Sequence, residues 1–198
     1  MYLPLKKYPE ASEELRILLY EAGIAEQLVC PQVAYYFYCP EALALVAKLP
    51  NCTSNVAKEI INTATEFYRE RSNYGPPNIV SYVKLLEEIV SQKHYFNADL
   101  ASYVVTNLTN ESVGCLNRFD ISKPFKENLD FVKGSIEVMK AIQIQPFGSN
   151  EEIENVSKEI EKSGKLITAT TDLLFEDIKR CYISFDDKQS GLSPFEIN

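Results

Sequence analysis

The residues Asn78 to His94, NIVSYVKLLEEIVSQKH, constrain the fold more than any other stretch. Apolar side chains fall at Ile79, Val80, Tyr82, Val83, Leu85, Leu86, Ile89 and Val90. Ser81, Lys84, Glu88 and Gln92 return at helical intervals. Only a narrow polar stripe remains, so such a helix has to be covered on most of its sides. Pro76, Pro77 and Asn78 mark its start, and Tyr95-Phe96-Asn97 its end. The chain is read around this central helix.

Before it, Ser12 is placed to cap a helix whose first turn holds Glu13 and Glu14, where the helix dipole favours them. Leu15, Leu18, Leu19 and Ala22 form its buried stripe, and Gly23 stands at the C′ position. Pro31, Pro40 and Pro50 then divide the chain into short pieces. EALALVAKL (41–49) predicts a buried helix with Pro40 in its first turn. VAYYFY (33–38) fits a helical turn or a short strand equally. Thr53 or Ser54 opens an amphipathic helix over 54–71, ended by the Gly-Pro-Pro of 72–78.

After the central helix, Asn97 caps a helix over 97–109 with Leu100, Val104 and Leu108 in line. Residues 107–120 predict a frayed end and one short turn. Ser122 and Pro124 start a long helix to 144, with Phe125, Leu129, Val132, Ile136 and Met139 on its main line and Phe131, Val138 and Ile142 beside it. Gly134 inside that helix costs about 1 kcal/mol against Ala, or marks a close helix crossing. Ser149 and Glu152 form a capping box for the next helix, which turns Ile153, Val156 and Ile160 inward and pairs Glu154 with Lys158. Gly164 ends that helix or sits within a longer one. Ile167, Leu174, Ile178 and Cys181 keep the helical period over 165–183.

These elements predict an all-α (mainly α) fold. A single compact domain of about six to eight helices is expected over 1–183, with a polar, mobile tail over 184–198. Helices 54–71, 78–94, 97–109 and 124–144 are expected to form the core. The 198-residue length suits one domain. No fixed-period repeat is present. No apolar run reaches the roughly 20 residues needed to span a bilayer, and MYLPLKKYPEASEEL lacks the apolar core of a secretory signal. An intracellular, cytoplasmic location is therefore expected, with Cys30, Cys39, Cys52, Cys115 and Cys181 as reduced thiols. The N-x-[ST] sequons beginning at Asn51, Asn107, Asn110 and Asn155 carry meaning only in a secreted chain.

Chemistry-bearing patterns are sparse. His94 is the only histidine, and its place after Lys93 at a helix end suits carbonyl capping better than general-base work. The cysteine spacing matches no zinc motif, and a di-metal bundle would need Glu-x-x-His pairs. Cys30-Pro31 and Cys39-Pro40 read as helix-starting prolines beside small apolar residues, and not as haem ligands. Ser163-Gly164-Lys165 fails as a phosphate loop, since Glu159 and Leu166 replace its first Gly and its Ser/Thr. Asp186 to Ile197 fails as a calcium loop, with Lys188 at a ligand position and Ile197 at the last. The net charge of −8 opposes nucleic-acid binding, and the basic groups Arg69/Arg71, Lys84/Lys93 and Lys179/Arg180 are small. No catalytic residue, metal site or cofactor is therefore assigned.

The expected function is that of a non-enzymatic, soluble regulatory or interaction protein. Its partner is another protein or a second copy of the chain, bound through a helical face or the tail. Tyr35, Tyr36, Tyr38, Phe185 and Phe195 are the candidate contacts. Ser193-Pro194 offers a phosphate acceptor beside Phe195. An apolar patch is expected around Tyr35–Tyr38 or along 165–182. The alternative is a small-molecule-binding or catalytic helical domain with a pocket near Tyr35–Tyr38 and Cys30/Cys39. A third reading, a subunit of a nucleoprotein complex, requires the basic residues to gather on one face.

Overall fold

The computed structural model describes residues 12–23, 40–71, 79–117 and 125–190, with side chains described except at 67–71, 79–80, 125–127 and 181–190. Among the described residues there are seven helices and no strand. In chain order they are α1 (Glu13–Glu21), α2 (Pro40–Ala47), α3 (Ser54–Arg71), α4 (Ile79–Ser91), α5 (Ala98–Asn117), α6 (Phe125–Gln143) and α7 (Asn150–Ser190). Their buried faces join in one hydrophobic core that runs from Leu15 to Leu174.

α4 occupies the place its sequence demands. Tyr82, Leu85, Leu86 and Ile89 are completely buried, and Val83 and Val90 nearly so. α2, α3 and α6 all pack against it. Each such side chain contributes about 1.5–3 kcal/mol by leaving water. Lys84 and Glu87 remain exposed. Even Ser81, on the polar stripe, is covered, and its hydroxyl donates to the Glu41 carboxylate of α2.

The helix ends follow local chemistry. The Leu15 N–H donates to Ser12 Oγ at 3.1 Å, and Ser12 itself is held by the Glu59 carboxylate of α3 at 2.7 and 2.5 Å. Gly23 closes α1 with φ +69°, a left-handed conformation that costs Gly nothing. Thr53 caps α3, accepting from the Val56 N–H at 3.3 Å. Asn97 caps α5, accepting from the Leu100 N–H at 2.9 Å. The capping box of α7 is complete: Glu152 N–H donates to Ser149 Oγ at 3.2 Å and Ser149 N–H to Glu152 Oε2 at 2.8 Å.

Four expectations need correction. α5 does not fray at 109 but runs to Asn117, because Leu108, Thr109, Glu111, Ser112, Cys115 and Leu116 are all buried on its inner side. α6 buries Val132 and Met139 of its expected main line but not Ile136, and it buries the flanking line more completely. Phe131, Val138 and Ile142 are completely buried while Ile136 is 37% exposed. Ile153 does not face inward on α7, being exposed to the same extent. α7 takes the second of the two readings of Gly164, a glycine within a longer helix, but does not stop at 183. It is continuous for 41 residues, so that 184–190, expected in the tail, are helical. At 1.5 Å per residue it is about 60 Å long, roughly twice the length of α5, its main packing partner.

The α4–α6 crossing is close because Gly134 has no side chain. A Cβ there would lie 3.0 Å from both γ-methyls of Val83. Of the two explanations for that glycine, the close crossing is the one the packing supports.

Candidate functional site

Two kinds of feature bear on function, the polar groups inside the core and the apolar groups outside it. Inside, the hydroxyls of Tyr82, Tyr95 and Ser54 tie helices together. Thr65 Oγ1 donates to the Ile61 carbonyl at 2.7 Å. That spends its single proton, so the Tyr82 hydroxyl, 2.8 Å away, is the donor of their shared bond. The Tyr95 hydroxyl donates to the Ala47 carbonyl at 2.9 Å. The Tyr95 carbonyl accepts from Ser54 Oγ at 2.9 Å, and Ser54 Oγ accepts from Asn97 Nδ2 at 3.2 Å. The ends of α2 and α4 and the starts of α3 and α5 are thereby tied at one junction.

Cys52 lies in that junction beside Tyr95. Burial pushes its thiol up from 9.0 to about 11, and burial likewise raises the Tyr95 phenol. Burial disfavours the anion of each group, so neither is a nucleophile near neutral pH. A thiol at about 11 in place of 9.0 keeps about a hundredth of the ordinary thiolate fraction at pH well below 9. Iodoacetamide at pH 8 is accordingly expected to modify Cys52 about a hundredfold more slowly than an exposed thiol of ordinary pKa. Its rate should still be climbing at pH 10. Peptide mass spectrometry after timed quenching checks this, and modification at the rate of free cysteine would contradict it.

Glu111 on α5 is 2% exposed, an unusual place for a carboxyl group. It was legible as an inward residue, since it lies three residues after Leu108 and four before Cys115 on the buried stripe. Ser112 and Ser135 are completely buried, and neither hydroxyl has a hydrogen-bond partner among the described residues. His94 is exposed in the turn after α4 and meets the Tyr95 ring edge-on at 4.7 Å. No group of three or more His, Cys, Asp or Glu among the described residues is placed to hold a metal ion. None of the described helices is long and apolar enough to cross a membrane.

Outside, the apolar surface is most developed on α7. Its inner side carries Val156, Ser163, Ile167 and Leu174, all buried. Next to that side, Leu166 is 49% and Leu173 68% exposed. Seven residues make nearly two turns, so both leucines stand on one face, about 10 Å apart. Phe175, 42% exposed, stands on the opposite flank. Ion pairs line the same helix: Glu154–Lys158 at 2.7 Å, Glu161–Lys165 at 2.6 Å, Glu176–Lys179 at 2.7 Å and Asp177–Arg180 at 3.7 Å. The lysine partner in each of the first three holds its glutamate below the usual carboxylate range.

Tyr35, Tyr36, Tyr38 and Phe195 lie outside the described residues, as do Cys30 and Cys39. Phe185 stands on α7, where its side chain is not described. Leu166 and Leu173 were missed as individual residues. The signal for them was the remainder: once Ile167, Leu174 and Ile178 take the inner side, an i, i+7 leucine pair is left with no place in the core. In comparisons with known proteins, the chain matches no family model, no curated protein and no solved structure.

Proposed function

We propose that the chain is a non-enzymatic interaction protein that binds another protein along the exposed flank of α7 that carries Leu166 and Leu173. The observation that carries this reading is the Leu166–Leu173 pair, roughly half and two-thirds exposed on the longest helix of the fold. Leucine at that exposure costs solubility without stabilising the core, and a partner helix laid along the face would remove it from water. The interior supports the same reading. The hydrogen bonds of Thr65, Tyr82 and Tyr95 serve helix docking, and Cys52 is held as an unreactive thiol.

The nucleoprotein reading gains no support from the surface of α7. Lys179 and Arg180, one of the basic groups noted in the sequence, each stand against a carboxylate. Lys158 and Lys165 do the same.

Capture of the tagged chain from native extract tests the proposal, read by mass spectrometry and by nucleic-acid absorbance of the eluate. One protein recovered in stoichiometric amount is the expected result. A second copy of the chain would appear as a doubled mass in light scattering of the purified protein. Nuclease-sensitive material bound in a strongly salt-dependent way would contradict the proposal and favour a nucleoprotein role.

A further inference from the structure

We propose that α7 is jointed. Residues 164–171 form a weak stretch at which the distal half of the helix opens from the body while residues 150–163 stay docked. The inference holds whatever partner the chain has.

Gly164 is the first ground. A Cβ placed there would meet nothing within 4 Å, so no close approach requires a glycine. Among the described residues only Gly23 has a left-handed backbone, so conformation does not require it either. A mid-helix glycine that neither space nor geometry demands weakens the helix where it stands. Gly134 is the contrast, because there Val83 fills the space a side chain would take.

The residues that follow weaken the same stretch. Ile167, Thr168, Thr170 and Thr171 are β-branched and lower helix propensity. Thr170 Oγ1 donates to the Leu166 carbonyl and Thr171 Oγ1 to the Ile167 carbonyl, both at 2.8 Å. Such bonds compete for carbonyls within the helix ladder and favour bending. The surface ion pairs stop at Lys165 and resume only at Glu176.

The two halves are anchored differently. The proximal half has its capping box, buried Val156 and Ser163, and a 2.9 Å hydrogen bond from Thr106 of α5 to Glu159. Among its described side chains, the distal half is held by Ile167, Leu174 and the partly buried Ile178. Opening at the joint would bring Ile167 and Leu174 into water beside Leu166 and Leu173, widening the apolar face. Stretches of low local stability of this kind open before the whole molecule unfolds.

Hydrogen exchange on the full chain, read by mass spectrometry, tests the joint. Amides at 165–171 should exchange faster than those at 155–161 and at 174–180. Gly164→Ala should slow exchange at 165–171 about fivefold, the helix-propensity difference between the two residues. It should leave 155–161 and α5 unchanged. Protection that declines smoothly toward Ser190 would mean simple fraying and overturn the proposal. So would an even slowing across α5, α6 and α7 in the variant, which would show that Gly164 acts only on global stability.

Discussion

Phe131→Ala is expected to lower the free energy of unfolding by about 3–5 kcal/mol. Phe131 is completely buried on α6, and its ring lies 6.2 Å from that of Tyr82, tilted by 31°. Tyr82 is completely buried on α4. Removing the ring forfeits its transfer from water and leaves a cavity between two helices that other contacts hold in place. Domains of ordinary stability have only about 5–15 kcal/mol in total, so the variant should be close to unfolding. Phe131→Leu keeps most of the volume and should lose far less. Urea unfolding monitored by circular dichroism measures both. A loss below about 1 kcal/mol for the alanine variant would mean that the α4–α6 contact is not part of the core.

The second large effect lies one turn along the same contact. Gly134→Leu is expected to cost about 3 kcal/mol through overpacking. The more informative substitution is Gly134→Ala. In an isolated helix it would stabilise by about 1 kcal/mol. Here the new methyl would stand 3.0 Å from both γ-carbons of Val83. Val83 is only 8% exposed, and a valine in a helix has essentially one rotamer, so it cannot turn away. Gly134→Ala alone should therefore destabilise. In a Val83→Ala background the clash is gone, and the same substitution should stabilise by about 1 kcal/mol. This reversal of sign is a pairwise coupling that a double-mutant cycle reads directly. Additivity of the two changes would place the helices farther apart than the structure has them.

What the sequence made legible is what local chemistry decides. Ser12, Asn97 and the Ser149/Glu152 box cap the helices they were expected to cap. Gly23 ends α1 in the left-handed region. The burial of α4 on most of its sides follows from a pattern with only a narrow polar face. The misreadings arise where a neighbour overrides the local signal. Thr109, Glu111 and Ser112 look like the end of a helix, yet packing against α7 carries α5 past them, and Thr109 Oγ1 bonds back to the Val105 carbonyl at 2.7 Å. On α6 both apolar lines are buried in part, and only the positions of α4, α5 and α7 decide that Phe131, Val138 and Ile142 are covered with Val132 and Met139 while Ile136 is left out. At Gly164 the local signal allows a stop or a continuous helix, and the burial of Ile167 and Leu174 beyond it carries the helix through. The candidate contacts at Tyr35, Tyr36 and Tyr38 were chosen from aromatic content. The leucine face of α7 emerges only once its inner side is known.

The leucine flank of α7 as a protein-binding surface is the central claim. Its most direct test is a paired capture from native extract. One bait carries Leu166→Asp with Leu173→Asp, and the other carries Ile144→Asp. Ile144, 83% exposed in the link between α6 and α7, controls for a charge placed on an exposed apolar residue elsewhere. All these side chains are well exposed, so both baits should unfold at the same urea concentration as the unmodified chain. The account predicts that the partner recovered by the unmodified chain is retained by Ile144→Asp and lost by the double variant. Equal recovery by both baits would place the binding surface elsewhere and contradict the account.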